Sequence, residues 1–210
     1  PSLKTGYLLG TDAIGRDLLV RLLYGGQVSL LVGVVTSVLS ALIGIILGGF
    51  AGYYMGTYDA IVMRITEIFY SIPTLPLLLV MARVIKRGGV WNIVILLTVF
   101  GWMFSMRLIR GNFLSLKAQE FAEAARAIGA SPLRIIFRHL LPNSLAPIIV
   151  SITLTIGGII ITESALSFLG LGINPPTPTW GNMLNEARSK IFDYPWLMFY
   201  PGTMIFLTVL

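Results

Sequence analysis

The chain alternates between long uncharged stretches and short polar ones, and the uncharged stretches set its architecture. Residues 22–58 carry no charge and leave ample room for one membrane-spanning helix, near Val28–Tyr54. Further spans are predicted at about 59–83, 90–106 and 145–171, with a last one starting near Trp196. About five such spans predict an all-α fold, a polytopic transmembrane helix bundle.

The last apolar segment is short for a span. Trp196–Leu210 has 15 residues, which is about 22 Å of helix at ~1.5 Å per residue, against a hydrocarbon core of ~30 Å. The sequence also has no initiator Met and no signal-like start. We therefore expect that it lacks one or both native ends.

One long charged segment, Ser115–Pro142, interrupts the apolar pattern between the third and fourth spans. Its first half, roughly Lys117–Ile128, is rich in Ala and predicts a helix. Apolar residues recur there at helical spacing, and acidic and basic residues supply the charge. The apolar positions are Phe121, Ala125 and Ile128, and the charged ones are Glu120, Glu123 and Arg126.

Gly129 separates this helix from a second one. A Gly at this place predicts a left-handed residue that ends the first helix, and Ser131 and Pro132 predict the N-cap and first turn of the next. The predicted apolar face of the second helix is Leu133, Ile136, Phe137 and Leu140. A segment that only joined two spans would not need two such helices, so we interpret it as a docking surface.

Composition agrees with a membrane protein. Hydrophobic residues make up 56% of the chain and charged residues 11%, whereas a soluble domain carries ~25% charged residues. The formal charge of +6 does not indicate nucleic-acid binding, because the basic residues are scattered through loops. The chain has no Cys, so it has no disulfide framework and no thiol chemistry.

A strip of small residues follows the first span. Ser40, Gly44, Gly48 and Gly52 recur every four residues, with Gly56 continuing the spacing. Such a strip lies along one helix face and lets another helix pack at short range. We interpret it as a helix-packing surface rather than a solute contact.

The second span contains Pro73 and Pro76. Each removes a backbone donor, so the carbonyls of Phe69 and Ile72 lose their usual partners and a kink is expected. A bent helix suits a gate that moves, but kinks are common in static bundles, and both interpretations stay open.

The fourth span contains the most deeply placed charge, Glu163. A carboxyl within the membrane is a functional candidate by default. Its neighbours on one helix face are polar: Ser151, Thr155, Thr162 and Ser167. The stripe is a candidate lining of a translocation path, with interhelical hydrogen bonding as the alternative.

Catalytic signatures are missing from the sequence. No GxxxxGK[ST] occurs, so the chain should not bind ATP itself, and neither HExxH nor GxSxG is present. The single His, His139, sits at a helix end without a nucleophile signature. We expect no catalytic residue, no metal site and no cofactor in this chain, and no enzyme activity.

The docking segment resembles the EAA loop of permease subunits in binding-protein-dependent ABC importers. The resemblance rests on Glu123-Ala124-Ala125, Gly129 and Leu141-Pro142, with His139 standing where the family has an apolar residue. In that family the loop is cytoplasmic and its helix seats in a groove of the ATPase. The resemblance thus implies coupling roles for Phe121, Glu123, Ala124, Ala125, Arg126, Gly129 and Pro142.

Two further strings are similar to the dipeptide and oligopeptide branch of this family, which also contains nickel permeases. They are LGTDAIGRDLLVRLLYGG near the start and ESALSFLGLGINPPTPTWG near the end. The resemblance implies the type I importer permease fold, which has six spans in the family. It also implies a second, similar permease subunit with which this chain is expected to form a heterodimer. Two cytoplasmic ATPase subunits that bind ATP and Mg, and an extracytoplasmic solute-binding protein, are implied as well.

The same resemblance sets the expected organisation. Residues 1–27 are expected to be extracytoplasmic or interfacial, and 28–210 to form the transmembrane domain, with a cytoplasmic loop at about 111–142 and an outer loop at about 172–195. Counting Lys and Arg on the two sides does not decide the orientation, because the tally is nearly level. The expected location is the cytoplasmic membrane of a prokaryote, and the expected mechanism is alternating access.

Several alternatives stay open at this point. The solute could be a dipeptide, a longer peptide or nickel, since permeases of this branch look alike. A stand-alone secondary transporter or channel would use the kinked helix and Glu163, but it should show paired repeats, and none is visible. A purely structural membrane anchor would not need the Gly strip, the polar stripe and the docking segment together.

Overall fold

The computed structural model describes residues 6–85 and 89–210, and this part of the chain is helical with short connections. The segments before the docking region are α1 (Leu18–Tyr54), α2 (Gly56–Ser71), α3 (Thr74–Ile85) and α4 (Val90–Lys117). The docking region contains α5 (Glu120–Ala127), α6 (Pro132–Ile135), a π-helical turn (Ile136–Leu140) and α7 (Leu141–Asn143). The rest comprises α8 (Leu145–Phe168), α9 (Trp180–Ala187), a 3₁₀ turn (Arg188–Lys190) and α10 (Trp196–Val209).

Three helices in the described ranges, α1, α4 and α8, are long and apolar enough to cross a membrane. A fourth span results if α2 and α3 are taken together, although they are bent by 90° at the break between them. The fifth predicted span corresponds to α10, an apolar helix of 14 residues. Each apolar stretch of the sequence is therefore helical, which confirms the all-α prediction.

Three of the predicted helix boundaries were wrong by several residues. α1 begins at Leu18 rather than near Val28, so it includes the end of the segment 1–27 that we expected to be extracytoplasmic or interfacial. α4 does not end near Met106 but continues to Lys117, and α9 begins at Trp180 rather than near Met183. In α1 and α4 the helix continues because charged side chains that should have ended it find partners, as described below.

The chain divides into two compact units. One comprises Pro1–Thr36, Leu75–Leu97 and Thr155–Leu210. The other comprises Ser37–Thr74 and Thr98–Leu154. The three long helices contribute residues to both, so the units do not follow the helix boundaries.

Each unit has its own apolar core. In the first unit, residues from α1, α8, α9 and α10 pack together around Trp180, which is 2% exposed and donates its indole N–H to the Leu22 carbonyl at 3.0 Å. In the second unit, the core joins the end of α1, the second half of α4 and the docking region. Its buried members are Tyr53, Ile109, Phe113, Ala122, Ala125, Ile135, Ile136, Leu140 and Ile148.

Candidate functional site

The docking segment presents a face that differs from the predicted one. The buried residues of α5 are Ala122 and Ala125, which are 0% and 5% exposed and belong to the core of the second unit. Phe121 and Ile128, which the spacing placed on one apolar face with Ala125, are exposed at 38% and 86%. Short Ala side chains allow the backbone of α5 to lie close to this core, and this leaves the larger apolar side chains facing outward.

The second helix shows the same separation. Of its predicted apolar face, Ile136 and Leu140 are buried, together with Ile135, whereas Leu133 and Phe137 are 52% and 57% exposed. The residues after Ile135 form a π-helical turn, a feature often found at functional sites. The segment therefore carries four exposed large apolar side chains outside the predicted spans, which is typical of a surface that binds another protein.

The polar residues of the EAA string also face outward. Glu123, Ala124 and Arg126 are exposed, and Pro142 lies exposed in the first turn of α7. His139, the departure from the family pattern, is half-buried in the π-helical turn. The exposed apolar groups of α5 are thus accompanied by two acidic side chains, Glu120 and Glu123, and one basic side chain, Arg126.

The junction between the two docking helices has the geometry expected from the sequence. Gly129 has φ 80°, the left-handed conformation that suits Gly. Its N–H donates to the Arg126 carbonyl at 2.9 Å, and the N–H of Ala130 donates to the Ala125 carbonyl at 3.0 Å. These two bonds form a Schellman motif that fixes the end of α5. The Ser131 hydroxyl then caps the next helix by accepting from the Arg134 N–H at 3.4 Å.

Arg126, in the last turn of α5, connects this helix to the end of α4. Arg126 donates from Nη2 to the Lys117 carbonyl oxygen and from Nε to the Ala122 carbonyl oxygen at 3.2 Å. Lys117 in turn donates from Nζ to the carbonyl oxygen of Tyr53, near the end of α1. Sequence reasoning missed the bonds from Arg126 to Lys117 and from Lys117 to Tyr53, because Lys and Arg in a polar segment are usually solvated.

The structure brings the strip of small residues against α4 within the second unit. A Cβ on Gly44 would lie 2.6 Å from the Cβ of Ser105, and one on Gly48 would overlap the carbonyl oxygen of Met106. A Cβ on Gly52 would lie 2.7 Å from the carbonyl oxygen of Arg110, and one on Gly101 would lie 2.8 Å from the Ser40 hydroxyl. Gly56 is not part of the strip, since it lies beyond the end of α1, as the first residue of α2, with φ 63°.

The second predicted span is interrupted at Ile72 and Pro73. The carbonyl of Phe69 does not stay without a donor, because it accepts from the N–H of Ile72 at 3.3 Å. Pro76 lies in the first turn of α3, where a missing N–H has no consequence. Pro73 alone therefore accounts for the break between α2 and α3.

The polar stripe of α8 divides into buried and partly buried positions. Ser151, Glu163 and Ser167 are buried, with Glu163 at 0% exposure, while Thr155 and Thr162 are half-buried. The carboxylate of Glu163 accepts from the Ser167 hydroxyl at 2.7 Å and from the Ser29 hydroxyl at 3.5 Å.

These two hydroxyls also accept hydrogen bonds from the backbone. The N–H of Ile173 donates to Ser167 at 3.1 Å, and the N–H of Trp180 donates to Ser29 at 3.3 Å. Glu163 thus links α1 and α8 to the segment before α9 through two serine hydroxyls. Within the first unit, Glu163 therefore anchors the segment before α9 through Ser167 and Ser29.

Sequence reasoning also missed a cluster of charges in the first unit. Arg21 is 8% exposed and donates to Glu186 at 2.6 and 3.0 Å and to Asp12 at 2.8 Å. Arg16 joins the same cluster through Asp12 at 2.5 Å and Glu186 at 3.0 Å. The cluster fastens the segment before α1 to α9, which lies more than 150 residues later in the sequence.

The charge state of Asp12 follows from these contacts. Burial opposes ionisation of the carboxyl, but hydrogen bonds from the backbone and side chain of Arg16 and from the N–H of Ile14 outweigh burial and lower its pKa. The carboxylate is therefore ionised at neutral pH and compensates the buried guanidinium. Among residues 6–85 and 89–210, no group of three or more acidic, His or Cys side chains is placed to hold a metal ion.

The helical arrangement is that of an ABC transporter membrane subunit. A solved structure of the MetNI methionine ABC transporter in inward-facing conformations matches the chain with a TM-score of 0.70. The match covers 91% of this chain and 89% of that chain at 23% sequence identity, so it shows the fold.

The chain belongs to the family of binding-protein-dependent transport system inner membrane components, whose model matches residues 44–210. It is 44% identical over 210 residues to the glutathione transport system permease protein GsiD of Escherichia coli O6:K15:H31, and 43% identical to GsiD of Shigella dysenteriae serotype 1. Both alignments cover 100% of this chain and 68% of the relative.

These matches confirm an ABC importer permease of the dipeptide, oligopeptide and nickel branch. The chain is a transport subunit of a multi-pass bacterial membrane complex, and permeases of this family work with ATPase and solute-binding proteins. The family membership decides against a stand-alone transporter or channel and against a structural anchor.

Proposed function

We propose that this permease imports a peptide or peptide-like solute and is coupled to its ATPase through α5. The solute class is supported by the 44% identity to GsiD, which is named for transport of glutathione, a tripeptide. The coupling role is supported by the surface of the docking segment. Its short Ala face is buried, its end is fixed by a Schellman motif, and its large apolar side chains are exposed.

The mechanism that suits this arrangement is alternating access. ATP closes the pair of ATPase subunits, α5 moves with the groove in which it sits, and the membrane helices tilt so that the path opens outward. Hydrolysis reverses the movement. For this coupling, α5 must make different contacts in the two ATPase states, because otherwise ATP binding could not shift the equilibrium.

Two other assignments belong to the same proposal. The half-buried Thr155 and Thr162 border the translocation path, and the break at Pro73 lets α2 and α3 change their angle during transport. A second permease subunit of similar sequence completes the path. This chain provides no ATP-binding motif, so ATP and Mg belong to the ATPase subunits.

Cross-linking tests the coupling assignment directly, because the chain has no Cys to interfere. Ile128→Cys places a thiol on the exposed side of α5, and Phe192→Cys, at a site 97% exposed in the other unit, is the matched control. In the complete complex, a bifunctional thiol reagent should join Ile128→Cys to the ATPase and leave Phe192→Cys unjoined. Labelling of Ile128→Cys by a membrane-impermeant maleimide added outside intact cells would refute the proposal.

The solute assignment needs a separate measurement. The cognate binding protein should bind glutathione or a dipeptide, and vesicles with the complete complex should accumulate the labelled compound only with ATP. Binding and uptake of Ni²⁺ in place of peptides would show that the permease belongs with the nickel importers of its branch.

A further inference from the structure

The turn between α1 and α2 contains a backbone conformation that a side chain normally excludes. Met55 has φ 58° and ψ −152°, a region occupied almost only by Gly, and Gly56 follows with φ 63°. Conformations of this kind cost free energy and persist where the surroundings enforce them, which is often at parts of a protein that move.

Lys117 supplies the contacts that hold Met55. Its Nζ donates to the carbonyl oxygen of Tyr53 at 2.5 Å and lies 3.7 Å from the Sδ of Met55. The ammonium also lies 5.4 Å from the centre of the Tyr53 ring. The last carbonyls of a helix have no intrahelical donor, so a cation at the end of α1 both bonds one of them and complements the helix dipole.

A second basic residue holds the other side of the turn. Arg110 forms a two-pronged ion pair with Asp59, in the first turn of α2, with Nη2 lying 2.6 Å from Oδ2. Arg110 and Lys117 are seven residues apart, about two turns of α4, and therefore lie on one helix face. This face of α4 therefore contacts the chain on both sides of the strained turn, through Tyr53 near the end of α1 and Asp59 in the first turn of α2.

Lys117 is also the residue to which α5 is attached. It is the last residue of α4, and Arg126 of α5 donates to its carbonyl oxygen. Its side chain therefore holds the end of α1 while its backbone is held by α5. Tyr53 is itself 8% exposed and packs in the same apolar core as Ala122 and Ala125.

We propose that Lys117 is a positioning residue for energy coupling. It connects the strained α1–α2 turn to α5, so that a displacement of α5 is transmitted through this turn to both α1 and α2. This inference rests on the proposed docking of α5 on the ATPase. The contact with Lys117 supports the strained conformation of Met55, so loss of this contact should let the turn relax.

The test measures ATP hydrolysed per solute imported by the complete complex in vesicles, with binding protein and solute present. Lys117→Met keeps the length of the side chain and removes the ammonium, so the ratio should rise by about fivefold or more, the lower end of typical coupling effects. Lys117→Arg, which keeps a cationic donor, should return the ratio toward that of the wild type. Lys190→Met is the matched control, because Lys190 lies over a Tyr ring at 6.0 Å without being a link to α5.

Met55→Gly keeps the test decisive if Lys117→Met folds poorly. Gly adopts φ 58° without strain, so this variant should unfold at a temperature no lower than the wild type and yet hydrolyse more ATP per solute. A role in folding alone cannot produce that combination. An unchanged ratio in either Lys117→Met or Met55→Gly, or an equal rise in Lys190→Met, would overturn the inference.

The two proposals fail in different ways. If Ile128→Cys does not cross-link to the ATPase, the docking of α5 is wrong. If the cross-link forms in both the wild-type and Lys117→Met backgrounds but the ratio of ATP to solute is the same, docking stands and the role of Lys117 is wrong. If Lys117→Met hydrolyses more ATP per solute imported while the cross-link still forms, both the docking of α5 and the role of Lys117 are supported.

Discussion

The hydroxyl of Ser167 donates a 2.7 Å hydrogen bond to the carboxylate of Glu163, one helical turn away on α8, and accepts the N–H of Ile173 at 3.1 Å. A single serine thus connects the most deeply buried acid of the chain to the backbone of the loop that follows. The predicted stripe correctly put Glu163 and Ser167 on one face. It did not show that this face binds a loop of the same unit.

Removal of the carboxylate should loosen this loop. Glu163→Ala leaves Ser167 and Ser29 without their acceptor, and unsatisfied buried polar groups cost about 1–3 kcal/mol. Glu163→Gln keeps one acceptor oxygen and should cost less. Thermal unfolding in detergent measures the stability, and proteolysis within 169–179 measures the loosening of the loop.

Glu67→Ala is the control for these variants. Glu67 pairs with Arg64 at 3.3 Å on an exposed surface, where its side chain is 51% accessible, and such pairs contribute about 0–1 kcal/mol. Equal destabilisation by Glu67→Ala and Glu163→Ala would contradict the anchoring role of Glu163.

Two Gly→Ala substitutions, one within the Gly strip and one outside it, should change the stability of the protein in opposite directions. A Cβ at Gly48 would overlap the Met106 carbonyl, so Gly48→Ala should destabilise the protein by roughly 1–3 kcal/mol through overpacking. A Cβ at Gly111 meets nothing within 4 Å, and Gly111→Ala should stabilise α4 by about 0.5–1 kcal/mol. Unfolding temperatures of the two purified variants check both signs, and a stabilising Gly48→Ala would refute the close approach of α1 and α4.

The lowered pKa of Asp12 predicts how stability depends on pH. A carboxyl whose pKa is lower in the folded state stabilises the protein fully above its unfolded-state pKa of about 3.9. The contribution then disappears as the pH falls through the lower, folded-state pKa. Asp12→Asn should therefore be less stable than the wild type at neutral pH, and the difference should shrink in acid.

Thermal unfolding between about pH 7 and about pH 3 tests this dependence. Asp193→Asn is the control, because Asp193 is exposed and forms no ion pair within the described ranges. A constant difference between Asp12→Asn and the wild type over this range would show that the ion cluster does not depend on the charge of Asp12.

Local signals in the sequence predicted local structure well. The uncharged stretches identified the spans because a helix that crosses a bilayer must be apolar over its whole length. Gly129, Ser131 and Pro132 predicted the junction of the docking helices, since a Schellman end and an N-cap depend only on neighbouring residues.

Distant contacts explain what the sequence did not predict. α1 starts before Arg21, and α4 continues past Arg110 to Lys117, because each of these cations finds a partner far away in the sequence: Glu186, Asp59 and the Tyr53 carbonyl. In α5, periodicity identified the apolar positions but did not predict which are buried, because spacing alone does not distinguish exposed apolar residues such as Phe121 and Ile128 from core residues such as Ala125.

The left-handed residue at the end of α5 provides the last prediction. Gly129 and Gly170 occupy the same position in two Schellman motifs, at the ends of α5 and α8, with φ 80° and 77°. A Cβ at either site meets no atom within 4 Å, so Ala in both should cost the same backbone strain, roughly 1–2 kcal/mol. The two variants should therefore unfold at similar temperatures.

Their effects on transport should differ, because only Gly129 sets the direction in which α5 presents Phe121 and Ile128. Gly129→Ala should raise the ATP hydrolysed per solute imported, while Gly170→Ala should leave that ratio at the wild-type value. Gly129→Pro should act more strongly, since Pro cannot adopt φ 80° and also removes the N–H that bonds the Arg126 carbonyl. Reconstituted complexes with the binding protein present provide the measurement, and normal coupling in Gly129→Pro would remove the physical basis for assigning α5 as the link to the ATPase.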